Sequence, residues 1–99
     1  MRDEQREHRR ILELVRELRR DGFEVETDSC VGPRKLKADI IARKDAQTIV
    51  VEVKTSGSLR DEKNTVAELA DYVRTLPGHR FDLVLTNPRL PRHPIGIER

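Results

Sequence analysis

The run Thr48-Ile-Val-Val-Glu-Val-Lys54 constrains this chain more than any other stretch. Its β-branched residues make it a strand, the strongest such signal in the sequence. Strand side chains alternate between faces, so Ile49, Val51 and Val53 share one face while Glu52 and Lys54 share the other. A chain with 35% hydrophobic and 38% charged residues has a small core and a very charged surface. Glu52 and Lys54 therefore have two readings: an ordinary solvated face, or a charged pair placed for chemistry.

The surrounding segments supply the context. Ile11, Leu14, Val15 and Leu18 recur at helical spacing and predict a helix over residues 4–20. Asp3, Glu4 and Glu7 near its start and Arg19 and Arg20 near its end suit the helix dipole, and Gly22 suits its C-terminal cap. Phe23 to Val31 alternates as a strand until Gly32 and Pro33 break it. Leu36 to Arg43 reads as the second strand, Lys44 to Gln47 as a polar turn, and Thr48 to Lys54 as the third strand. Ser56 to Ser58 reads as a loop. A second helix lies between Leu59 and Leu76, with Val66, Leu69, Ala70, Val73 and Leu76 as its apolar face. Thr65 with Glu68 has the form of a capping box, which would delay the start to Val66. Pro77 and Gly78 end it, and Phe81 to Thr86 is the fourth strand.

The order is αβββαβ. Strands two and three form a hairpin; strands three and four are joined through a helix, which implies a right-handed crossover and parallel pairing. The predicted fold is α/β, a four-stranded mixed sheet flanked by helices. Residues 1–87 make one domain. Residues 88–99 hold three of the five prolines and no periodicity; they read as a tail, through which a larger protein could dock, or as a truncated link to something else.

Several classes of function fall away. The apolar stretches are far shorter than a transmembrane span, and the charged N-terminus is no signal peptide. A single cysteine, Cys30, expected to be half-buried and inert, fits a reducing cytoplasm. The chain has no CxxC pair, no HExxH and no P-loop motif. Basic and acidic residues nearly cancel, 20 against 18, yet arginines outnumber lysines 15 to 5. Arginine suits bidentate phosphate contacts, although compositional drift produces the same excess.

The second strand carries Asp39 between Ala38 and Ile40. With a hairpin turn at 44–47, Arg43 pairs with Thr48, Asp39 lies opposite Glu52, and Lys37 lies opposite Lys54. Two facing carboxylates repel unless a cation lies between them. They form a hard oxygen site suited to Mg²⁺ or Mn²⁺, and a lysine beside them can hold a water or a developing negative charge. That set suits phosphodiester hydrolysis.

The segments Lys37-Ala-Asp-Ile-Ile41 and Glu52-Val-Lys54-Thr55, with thirteen residues from Asp39 to Glu52, resemble the PD-(D/E)XK nuclease superfamily, which has the restriction-endonuclease-like fold. The resemblance covers residues 4–87. The short length and the run from Pro77 to Pro88 resemble its archaeal Holliday-junction-resolvase-like subgroup. Ala38 stands where the superfamily's name has proline. The resemblance implies that Asp39 and Glu52 are metal ligands, that Lys54 positions the attacking water, and that the Val53 carbonyl adds a metal contact. It also implies a glutamate on the first helix beside the metal. At 100° per residue Glu7 falls about 50° from the buried direction, with Glu4 the second choice.

Nucleic-acid contacts are predicted at Arg34, Lys35 and Lys37, which border the site. The seven arginines of residues 1–20 are interleaved with five acids and read as a solvated face. Thr55 and Ser56 either touch a phosphate or supply the polar loop that a strand end needs. His79 reads as solvated in its Pro-Gly turn, and Tyr72 as packing. The leading expectation is a metal-dependent nuclease hydrolysing DNA phosphodiester bonds, with structure-selective, sequence-specific and nonspecific cleavage all open, acting as a cytoplasmic homodimer, with RNA as the alternative substrate. The competing expectation is a catalytically silent module of the same fold that binds nucleic acid or docks on a protein.

Overall fold

The computed structural model describes residues 3–86. The proposed tail at 88–99 lies outside the described residues. The element order is α1 (Asp3–Arg20), β1 (Glu24–Val31), β2 (Leu36–Lys44), β3 (Gln47–Lys54), α2 (Ser56–Arg74) and β4 (His79–Leu85). The strands form one sheet in the order β1-β2-β3-β4. The first two pairings are antiparallel, and β3 pairs with β4 in parallel.

α1 ends at a glycine signal. Gly22 adopts φ 93°, its N–H donates to the Arg19 carbonyl, and the Phe23 N–H donates to the Leu18 carbonyl. These two bonds make a Schellman cap, which needs a left-handed residue at this position.

The core has two halves, one on each sheet face. Val15 of α1 packs with Ile40, Ala42, Ile49, Val51 and Val53. Leu69 and Val73 of α2 pack with Val31, Ala38, Ile41 and Val50 on the other face. β3 is covered on both faces, so it is apolar almost throughout. By alternation Glu52 and Lys54 continue the Val50 row, on the face that α2 covers.

The structure corrects several boundaries. The β2–β3 turn is only Asp45 and Ala46, because Lys44 and Gln47 pair. β4 begins at His79, which pairs with Thr48; His79 is thus a partly buried strand residue and not a solvated turn residue. Cys30 is exposed, because β1 is an edge strand.

The largest correction concerns α2. It starts at Ser56, ten residues before Val66. Its capping box is Thr55 with Ser58, whereas Thr65 and Glu68 lie inside the helix. No residue before Val66 is buried, so the first turns carry no apolar rhythm to betray a helix. Glu62 has non-helical angles, φ −114° and ψ 19°, and kinks α2.

Candidate active site

The antiparallel register between β2 and β3 is the expected one, with Arg43 opposite Thr48. The ladder runs only as far as Ile40 opposite Val51. One step further Asp39 and Glu52 face each other, and their carboxylates replace the ladder. The Asp39 N–H donates to Glu52 Oε1 at 2.8 Å, and the Val53 N–H donates to Asp39 Oδ2 at 2.8 Å. Each acid thus satisfies the backbone of the other's strand. Asp39 also marks a gap in the β1–β2 ladder, where Asp28 adopts φ 51° and no pair forms. The bonded β2–β3 pairs stop before Lys37 and Lys54, so those two do not pair across the ladder.

Glu52 is 7% exposed and Lys54 9%. Burying two carboxylates side by side disfavours their charged forms. Burial, reinforced by the Asp39 charge, pushes Glu52 up to about 7. Burial also raises Asp39, against the pull of the Val53 N–H and Lys54, while Glu7 and Glu62 add to the rise. For Lys54, burial works against the charge but is outweighed by the Glu62 hydrogen bond and the surrounding carboxylates, so its pKa rises. Lys54 Nζ lies 2.8 Å from Glu62 Oε1 and 3.8 Å from Glu52 Oε2.

Glu7 reaches the same region from α1. Its Oε2 accepts the Thr55 N–H at 3.0 Å and the Ser58 hydroxyl. Its charge is felt at Asp39, but its hydrogen bonds go to the start of α2. Glu4 is exposed on α1 and lines a shallow surface depression with Gln5, His8, Arg9 and Leu12.

The remaining candidates divide. Thr55 is 2% exposed, and its hydroxyl accepts the Ser58 N–H. It caps α2, which is the polar strand-end role of its two readings. Ser56 is exposed on the first turn of α2. Arg34 is turned onto Glu68 of α2 in an ion pair, which competes with any phosphate. Lys35 and Lys37 are exposed and have no acidic partner among the described residues.

Glu62 and Ser58 were not among the expected site residues. A helix started at Thr55 would have put Glu62 two turns above the cap, on the same side. With the helix start placed later, no periodicity marked either residue.

Three acids, Glu62, Glu52 and Asp39, act on the one lysine here, and Glu7 is felt at Asp39, leaving negative charge that a cation would offset. Among the described residues no group of three His, Cys, Asp or Glu converges as a metal cage. Two carboxylates still fit Mg²⁺, which keeps several waters and takes one or two protein carboxylates. Among the described residues Asp39 Oδ1 and Glu52 Oε2 meet no backbone donor and remain for it.

Among protein families, the model for AHJR-like restriction-endonuclease-like proteins (REase_AHJR-like) matches residues 1–98. No curated protein matches the chain.

Proposed function

The chain belongs to the AHJR-like family of restriction-endonuclease-like proteins, and from that premise we propose that it is a metal-dependent nuclease that hydrolyses DNA phosphodiester bonds. The observation that carries the proposal is the reciprocal pairing of half-buried Asp39 with buried Glu52, with the Lys54 ammonium 3.8 Å from Glu52. Burying two adjacent acids is costly, and a bound cation would offset the cost.

Asp39 and Glu52 would hold Mg²⁺ or Mn²⁺ through the oxygens that face no backbone donor, with the Val53 carbonyl as a further ligand. A bound ion would supply neutralisation of phosphate charge and acidification of a water. Lys54 stays protonated among its carboxylates, so it acts as a donor and not as a base. Its N–H groups would orient the attacking water and meet charge developing on the phosphate. The water oxygen bonds to phosphorus and gives up a proton to solvent, the bond from phosphorus to the leaving oxygen breaks, and that oxygen takes up a proton from solvent. Lys35 and Lys37 would neutralise flanking phosphates. Glu7 supports the site by fixing the start of α2. We also propose a symmetric homodimer, which would set two such sites against two strands. No described helix is long and apolar enough to cross a membrane.

The competing reading is a silent module of the same fold. Thermal melts with Mg²⁺ and with EDTA separate the two. A metal-binding site gives an Mg²⁺-dependent rise in Tm that disappears in Asp39→Ala. No rise in the wild type favours the module. Supercoiled, linear, branched and single-stranded DNA, with RNA alongside, then identify the substrate.

A further inference from the structure

α2 is held at two places. Its first turn is tied by Thr55, Ser58 and Glu7, and its later turns are buried through Val66, Leu69, Ala70 and Val73. The kink at Glu62 falls between these anchors. There the carboxylate comes down from a side chain 49% exposed onto the buried Lys54 ammonium at 2.8 Å. Glu52 Oε2 also lies near that ammonium, but at 3.8 Å it is beyond a good hydrogen bond. An ion on Glu52 would draw that carboxylate's charge away from Lys54. A flexible four-carbon stem then needs another anchor.

We infer that Glu62 is a positioning residue that holds the Lys54 ammonium beside Glu52, so that the kink in α2 sets the geometry of the reaction. This inference rests on the nuclease reading. Glu62 acts through Lys54 and has no contact of its own with the reacting phosphate.

The test compares wild type, Glu62→Ala, Glu62→Gln and Lys54→Ala in two assays. In Mg²⁺-dependent DNA cleavage, Glu62→Ala lowers kcat by about 100-fold, the scale of a small misplacement at a reacting centre. KM and the Mg²⁺ midpoint stay at wild-type values, and Glu62→Gln, which keeps an acceptor oxygen, recovers part of the loss. In metal-free protein, acetic anhydride labelling read by mass spectrometry shows Lys54 modified several-fold faster in Glu62→Ala, relative to Lys35 and Lys63 of the same chain. Should Glu62→Ala fail to fold, Glu62→Gln carries both assays through its smaller loss of kcat and faster labelling.

Wild-type kcat in Glu62→Ala overturns the inference and leaves the nuclease reading standing. So does a lower kcat with unchanged Lys54 labelling. If the wild type cuts no substrate, the nuclease reading fails and takes this inference with it.

Discussion

Replacing Glu52 with glutamine should stabilise the metal-free protein at alkaline pH. Glu52 is pushed from 4.5 to about 7 by burial and by Asp39. A carboxyl whose folded-state pKa lies above its unfolded value favours folding fully below the unfolded value and loses that contribution as pH rises through the folded one. The span is worth about 3 kcal/mol at roughly 1.4 kcal/mol per unit. Above pH 8 the ionised side chain therefore costs the fold about 3 kcal/mol. Glutamine keeps an oxygen for the Asp39 N–H and carries no charge. Urea unfolding followed by circular dichroism, in EDTA, should show Glu52→Gln more stable than wild type by up to about 3 kcal/mol at pH 8. The difference should shrink towards zero near pH 4. Adding Mg²⁺ at pH 8 should raise wild-type stability and close the gap. A Glu52→Gln variant no more stable than wild type at pH 8 would refute the argument that burial and the Asp39 charge strain this site.

Three further perturbations have readable outcomes. Thr55→Ala removes the oxygen that accepts the Ser58 N–H and should cost about 1 kcal/mol in urea unfolding; an unchanged midpoint would show that Ser58 and Glu7 hold the helix start alone. Gly32 has φ +75°, and a Cβ there would sit 2.5 Å from the Tyr72 ring. Gly32→Ala should therefore destabilise by about 1–3 kcal/mol, and a neutral melt would contradict that packing. Replacing Lys35 and Lys37 together by alanine should leave Tm unchanged and reduce the slope of log affinity against log salt for duplex DNA by about 2; an unaltered slope would move the phosphate contacts elsewhere.

The sheet was legible because its signals are local. Alternation in 23–31, the apolar run at 48–54 and the breaks at Gly32, Pro33, Pro77 and Gly78 each act within a few residues. A short polar turn then sets the β2–β3 register, which brings Asp39 and Glu52 together. The start of α2 was hidden for a physical reason. None of its first ten residues is fully buried, and hydrophobic periodicity reports only a face that packs. Without that start, nothing in the sequence marks Glu62 or Ser58, and Thr55 keeps two readings. Helical periodicity singles out Glu7 on α1, and in the structure its hydrogen bonds run to Thr55 and Ser58. Sequence periodicity fixes the direction of a side chain and not the donor it meets. Arg34 shows the same limit, since its ion pair with Glu68 joins residues 34 positions apart.

The most direct test of the central claim is cleavage of supercoiled and branched DNA by the wild type, Asp39→Ala and Lys54→Ala, each with Mg²⁺, Mn²⁺ or EDTA. The account predicts metal-dependent cutting by the wild type, none in EDTA, and loss of at least about 100-fold in either variant. Cutting by Lys54→Ala at the wild-type rate, or cutting that persists in EDTA, would contradict it.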